Sequence, residues 1–288
     1  MAKRWAAFFL CLCMSILGGC AQAPAQEESA PKTTLTVHVL NVGKADCILV
    51  NSGDRWMLVD AGLNDTQDEV LDYLKQQGVE KLDCAIGTHP DKDHIGGLDA
   101  VLESVPTAAL FIPPLEVDTK HYRNMLEAAE AQKVPVKTIT AGASWKLGET
   151  GVKVLAPGAT ALAMKDENEA SIVLMLEHGN FRMLLMADAQ TVSENEMIDQ
   201  RADLRADVIK IGHHGSNEAT GTALLQAVSP KIAIISTGEK EGETLPHPRL
   251  LSRLEQFKVT VYRTDLDGTI LVRSDGVSYE VSTDSNAA

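Results

Sequence analysis

Thr88-His89-Pro90-Asp91-Lys92-Asp93-His94-Ile95-Gly96-Gly97 puts four side chains of metal-ligating type within six residues: His89, Asp91, Asp93 and His94. The run Leu82 to Ile86 precedes it, and a Gly-Gly pair and a helical pattern follow. That order reads as strand, loop, helix. The four side chains therefore sit on a loop that a rigid scaffold can aim into a cleft. Imidazole and carboxylate together suit Zn, Mn or Fe, and such a density of both is hard to justify without a cation. The competing reading is a solvated polar loop, and further His and Asp residues at downstream strand ends count against it.

Three other strands end in residues of the same type. Trp56 to Val59 runs into Asp60, the hairpin strand Phe181 to Met186 into Asp188, and Ala206 to Ile211 into His213-His214. A single histidine at a strand end is usually a satisfied structural residue. Four such ends, two of them carrying histidine, point to a metal cleft along one edge of a pair of sheets. Strand-rich halves with helices between them predict an α/β fold, a four-layer αββα sandwich of two mixed sheets with outer helices. Thr66 with Glu69 reads as a capping box opening a helix. Residues 157–170 read as a loop, and Lys210 and Ser216 as an ordinary strand residue and a loop hydroxyl. His38, His121 and His178 read as surface or core residues.

The N-terminus reads as a targeting segment. Lys3 and Arg4 precede the apolar run Trp5 to Leu17, which falls short of the roughly 20 residues of a spanning helix, and Leu17-Gly18-Gly19-Cys20 looks like a bacterial lipobox. The expected organisation is a lipoprotein signal peptide over 1–19 and a tether over 20–33, with one hydrolase-sized domain over 34–284. Lipidation at Cys20 would anchor that domain to the outer face of a membrane. Cys47 and Cys84 then remain, each in an apolar run and better read as buried thiols than as a disulfide. The formal charge of −14 becomes −16 once Lys3 and Arg4 leave with the signal. Such a surface disfavours tight nucleic-acid binding, which depends on Lys and Arg contacts to phosphate.

His89-Pro90-Asp91-Lys92-Asp93-His94 resembles the His-x-His-x-Asp-His motif of the metallo-β-lactamase superfamily, with Asp91 in place of the second His. That variant is similar to the ComEC/Rec2 competence-type branch. Asn41-Val42-Gly43-Lys44-Ala45-Asp46 resembles that branch's Val-Gly-x-Gly-Asp turn, and Asn168 with Ser171-Ile172-Val173-Leu174 its Asn-x-x-Ser segment. His213-His214-Gly215-Ser216 and His247-Pro248 resemble its later motifs. The resemblance covers residues 34–282.

It implies two divalent ions, Zn first with Mn as competitor. His89 and Asp91 would hold the first ion and Asp93 and His94 the second. Asp188 would bridge them, and His214 or His213 would complete the second. Asp60 and Asn168 would support the ligands, and Ala187 departs from the usual Gly before the bridging Asp. The ions would bring the pKa of a shared water toward about 7. Asp93 would then act in catalysis as well as ligation. His213 and His247 would serve as proton or hydrogen-bond donors, although His247 is equally readable as a helix N-terminal residue.

The implied function is an extracytoplasmic, lipid-anchored metallo-hydrolase, in the first place a phosphodiesterase or nuclease-like enzyme. Its partners would be the membrane and a phosphodiester: a wall polymer, a small diester or extracellular DNA. No stable protein partner is implied. The alternatives are a hydrolase of carboxylic esters or lactones and a non-catalytic binding lipoprotein.

Overall fold

A computed structural model describes Met1 and residues 33–239, 242 and 244–284. The expected signal peptide, Cys20 and nearly all of the tether lie outside the described residues. The chain first lays down six strands: β1 Leu35–Val39, β2 Cys47–Ser52, β3 Arg55–Ala61, β4 Cys84–Ile86, β5 Leu110–Ile112 and β6 Val136–Thr138. Seven more build a second sheet: β7 Ser144–Leu147, β8 Thr150–Ala156, β9 Val173–His178, β10 Phe181–Leu185, β11 Val208–Lys210, β12 Ile232–Ile235 and β13 Thr260–Arg263. The last hairpin, β14 Ile270–Ser274 and β15 Tyr279–Thr283, returns to the first sheet, where β14 pairs antiparallel with β1. The spatial orders are β15-β14-β1-β2-β3-β4-β5-β6 and β13-β12-β11-β10-β9-β8-β7.

Both faces of each sheet are covered, so the central strands read as apolar runs rather than as clean alternation. Side chains still alternate by face. Val50, Met57 and Val59 meet Leu174, Leu176, Met183 and Val208 between the sheets. Leu49, Leu58 and Ala85 face the other way, onto α1 (Gln67–Gln76), α3 (Leu98–Ser104) and α4 (Lys120–Ala131). On the far side Met175, Leu184 and Ile209 lie under α6 (Thr191–Asp199), α7 (Thr222–Val228) and α8 (Pro248–Gln256). This is the expected four-layer sandwich, and Cys47 and Cys84 are buried free thiols within it.

Several local expectations give way. Thr66 precedes α1, but its side chain caps nothing; a 3-10 turn over Asn64–Thr66 comes first, and Thr66 Oγ1 donates to the Leu63 carbonyl at 3.1 Å. The 157–170 stretch contains a short helix, α5 (Ala159–Met164), closed by Lys165 in the left-handed region. One turn of helix, α2 (Lys92–Ile95), carries Asp93 and His94. A further turn, α9 (Thr264–Asp267), leads into the closing hairpin.

The strands place the candidate residues together. β3, β4 and β11 all deliver their C-terminal ends to one edge, where β10 also arrives and the β1–β2 turn folds over. In sheets with parallel strands this edge is where ligands bind. The Gly-Gly pair lets the motif loop approach: a Cβ on Gly97 would lie 2.4 Å from the Ala61 carbonyl oxygen.

Candidate metal centre

The site is built from Asp60 outward. Its carboxylate accepts the Thr88 N–H at 2.8 Å and the Thr88 hydroxyl at 2.7 Å. It also accepts His94 Nδ1 at 2.8 Å. One buried side chain thus fixes the start of the motif loop and the orientation of a histidine inside it. With its hydroxyl proton committed to Asp60, Thr88 Oγ1 accepts from His89 Nδ1 at 3.1 Å. His214 Nδ1 donates to the Ser236 carbonyl at 3.1 Å. In all three rings Nδ1 carries the proton, so Nε2 offers its lone pair inward, as outer partners of metal-ligating histidines arrange.

Those lone pairs converge on Asp188. His94 Nε2 lies 3.3 Å from Asp188 Oδ1, and His214 and His89 Nε2 lie 3.6 and 3.8 Å from Oδ2. His94 and His214 present their Nε2 atoms to each other at 3.3 Å, and Asp93 Oδ2 is 3.5 Å from His214 Nε2. Two overlapping donor sets result, His89-His94-Asp188 and Asp93-His94-His214, each with its ligating atoms within 4.8 Å. Asp91 stands at the rim with Oδ2 3.7 Å from His89 Nε2 and its side chain 39% exposed.

The set fits a cation. His89 Nε2, Asp188 Oδ1 and Asn168 Oδ1 are all buried acceptors without a hydrogen-bond partner. Each such atom costs about 1–3 kcal/mol, and a cation among them removes the cost. With no ion between them, the carboxylates and imidazoles hold one another's charge instead. Burial alone would raise the Asp188 carboxyl, but His94, His214 and His89 hold it well below the usual range. Burial would lower His94, yet Asp188 and Asp60 raise it well above its ordinary value. Asp93 is likewise held low against burial by His214, His94 and Lys44; the Lys44 ammonium donates to Asp93 Oδ2 at 2.9 Å.

The two adjacent histidines are wired oppositely. His213 Nδ1 accepts from the Gln190 amide at 3.0 Å, so its proton sits on Nε2, 3.8 Å from Asp188 Oδ2. Its side chain is 23% exposed whereas His214 is fully buried. His214 belongs to the inward donor set and His213 faces the opening. His247 does something else: its Nδ1 accepts the Arg249 N–H and caps α8, and its own N–H donates to the Gly215 carbonyl. Asn168 and Ser171 do reach the site, because Ile172 N–H donates to the Thr88 carbonyl at 3.0 Å and Asp188 N–H to Ser171 Oγ at 3.3 Å.

Sequence reasoning missed three residues. Lys210 is fully buried and donates to Asp46 Oδ2 at 3.0 Å and to the Ile211 carbonyl at 2.9 Å. Asp46 in turn lies 3.9 Å from His214 Nδ1, and its N–H donates to the Asp93 carbonyl at 3.0 Å. A lysine inside the apolar run Val208-Ile209-Lys210-Ile211 was the available signal, since such a charge requires a partner. The third is Glu167, a half-buried acid near Asp91 although distant from it in sequence. The Asp91 carboxyl raises Glu167 above the usual range, while the His89 imidazole lowers Asp91.

Backbone strain gathers here. Among the described residues ten non-glycine positions have positive φ, and five of them end helices. Four of the others are Asp60 (φ 57°), Ala187 (φ 47°), His213 (φ 49°) and His214 (φ 51°). The glycine expected before Asp188 would adopt this backbone freely; Ala187 holds it under strain. A cleft of about 490 Å³ opens beside Asp93, lined by Asn41, Lys44, Leu63, Lys92 and Glu239 among others. A larger groove of about 790 Å³, around Trp145, Lys153 and Arg182, lies at the opposite ends of the strands and touches none of the donor residues.

Residues 40–239 match the family described as Metallo-beta-lactamase superfamily. The chain is 34% identical over 204 residues to ComE operon protein 3 of Bacillus subtilis, covering 71% of this chain and 26% of that protein. It is 30% identical over 246 residues to Recombination protein 2 of Haemophilus influenzae, covering 84% and 29%. The chain thus spans under a third of the length of these two relatives. Among solved structures it resembles the metallo-beta-lactamase fold protein YhfI of Bacillus subtilis, with TM-score 0.57, 17% identity and coverage of 84% of this chain and 100% of that one. Family match, relatives and site geometry agree, and the chain belongs to the metallo-beta-lactamase superfamily, in its ComEC/Rec2 competence branch.

Proposed function

We propose that this protein is a metal-dependent phosphodiesterase, held outside the cell membrane by a lipid on Cys20. The observation that carries the metal is the inward Nε2 convergence on Asp188, with His89 Nε2 and Asp188 Oδ1 buried and unpartnered. His89, Asp91 and Asp188 would hold one ion, and Asp93, His94, His214 and Asp188 the other. When bound, such a pair supplies Lewis-acid polarisation of a phosphoryl oxygen and activation of water near neutral pH.

The chain's own residues supply the rest. Asp60 fixes the His94 ring and the motif loop. His213, with its proton on Nε2 at the opening, is placed to donate toward a leaving oxygen. Lys44, paired with Asp93, and Lys92 lie in the wall of the cleft together with Glu69 and Glu239. His247 is better read as a cap than as an acid. The acidic balance of the chain favours a small or wall-associated diester over long DNA.

The phosphodiester rests on kinship with the competence branch. A hydrolysis screen with added Zn²⁺ or Mn²⁺ tests it, using bis-p-nitrophenyl phosphate, single-stranded DNA, p-nitrophenyl esters and nitrocefin. Turnover of the phosphodiester, abolished by Asp188→Ala, is the expected result. Turnover of the carboxylic esters or nitrocefin alone would overturn the reading. No helix among the described residues is long and apolar enough to cross a membrane. On the lipoprotein reading membrane association depends on the lipid, and Cys20→Ala should release the protein into the soluble fraction.

A further inference from the structure

The loop that carries His213 and His214 is gripped from one side by the first turns of α6. We propose that Glu194 is a positioning residue for the metal centre: its carboxylate clamps the far end of this loop and so fixes where His214 and His213 stand. The inference rests on the metal-centre reading.

The loop is strained at both ends. His213, His214 and Thr220 have left-handed backbone, at φ 49°, 51° and 53°. For a β-branched threonine that conformation is a genuine outlier. Such residues persist only where their surroundings over-determine them. At Thr220 those surroundings are Glu194. Its carboxylate accepts the Thr220 N–H on Oε1 and the Gly221 N–H on Oε2, the latter at 2.9 Å. Held this way, Thr220 turns its hydroxyl back to the start of the loop, where Oγ1 accepts the Gly212 N–H at 3.2 Å. Gly212 directly precedes His213. One carboxylate therefore closes residues 212–221 into a ring with the histidine pair at its near end.

The links are shielded from water: Glu194 is 3% exposed and Thr220 0%. The fit is close, since a Cβ on Gly221 would lie 3.0 Å from Glu194 Oε2. Two neighbours on the same side hold the loop between these ends. The Gln190 amide donates to His213 Nδ1 at 3.0 Å, and the Thr191 hydroxyl to the Glu218 carbonyl at 3.1 Å. Without the Glu194 carboxylate the Thr220 N–H loses its acceptor, and the Gly212 N–H loses its own once Thr220 relaxes. Buried backbone donors are almost always paired, so the loop has to shift to find others, and the histidines shift with it.

Two substitutions cut the ring at different links. Glu194→Gln keeps the shape but turns an amide donor toward one of the two N–H groups. Thr220→Val keeps the shape and removes the hydroxyl that reaches Gly212. Glu196→Gln is the control, a carboxylate on the same helix that accepts the Thr160 and Ala161 N–H groups instead. Amide hydrogen exchange of the full chain, freed of metal with EDTA, reads the ring. Gly212 should exchange about tenfold faster or more in both ring variants, as expected for one lost buried hydrogen bond, with β9 and β10 unchanged. Co²⁺, whose visible absorption reports its ligand geometry, reads the centre. Both ring variants should bind it about 10–100-fold more weakly, and Glu196→Gln should match wild type. If Glu194→Gln does not fold, Thr220→Val decides by the same two readings. Unchanged Gly212 exchange, uniform acceleration across the domain, unchanged Co²⁺ affinity, or an equal loss in Glu196→Gln overturns the proposal. A wild-type chain that binds no Co²⁺ overturns it together with the metal-centre reading. The expected changes, with no phosphodiester turned over by wild type, leave the positioning residue standing and remove the phosphodiesterase.

Discussion

Lys210→Met isolates the buried pair behind the metal centre. Lys210 is 0% exposed and Asp46 1%, so neither charge has water to fall back on. The methionine fills most of the lysine's space and leaves a lone carboxylate. Removing one member of such a pair costs about 3–5 kcal/mol, which for a domain of this size means a fall in Tm of roughly 6–20 °C.

The pH dependence carries a sign. In the native protein burial raises Asp46, but Lys210 foremost, then His214 and His94, bring it below its ordinary value. A carboxyl depressed in the folded state contributes stability above its unfolded pKa, lost as pH falls through the folded one. Without Lys210 burial dominates and the folded pKa rises above the unfolded one. The variant then loses stability as pH rises between those two values. Urea denaturation of the metal-free protein at pH 5 and pH 8 should show a larger deficit at pH 8. Pairing Lys210→Met with Asp46→Leu removes both charges and should recover most of the loss. A deficit under about 1 kcal/mol, or one larger at pH 5, refutes the reasoning.

Other substitutions test separate parts of the site. Asp60→Asn keeps the shape but weakens the hold on His94 Nδ1, and should reduce metal affinity about 10–100-fold as read by competition with a chelator. Ala187→Gly relieves a left-handed alanine, worth about 1–2 kcal/mol, against about 0.4–1 kcal/mol of added unfolded-state freedom; urea midpoints should rise slightly with metal content unchanged. His247→Ala should cost about 1 kcal/mol through the lost cap and leave kcat at wild-type level. A fall in kcat without a loss of stability would restore His247 as a proton donor.

How far the sequence carried the reading depended on distance along the chain. The strand-end Asp and His residues were legible because each follows an apolar run that cannot continue past a charged residue. The αββα layers were legible because those runs are too apolar for a sheet with one wet face. Asp46 and Lys210 are 164 residues apart, and nothing local announces their meeting beyond a lysine among isoleucines. Choosing between His213 and His214 needed Gln190 and Ser236, which set opposite tautomers on neighbouring rings. Glu167 sits in a run of polar residues where one more acid carries no signal. The capping-box expectation at Thr66 failed because a tighter turn claimed its hydroxyl first.

The described fold begins at Thr33, which the structure ties to the end of the sandwich away from the candidate metal centre. Its N–H donates to Glu149 Oε2 at 2.9 Å, and its carbonyl accepts from His178 Nε2 at 2.8 Å. From there β1 runs the length of the sheet to the turn beside Asp46, about 16 Å at the usual strand rise. Whatever precedes Thr33 therefore leaves from the base while the cleft opens at the crown. A surface holding the protein by that end would leave the mouth of the site turned outward, toward whatever diffuses past.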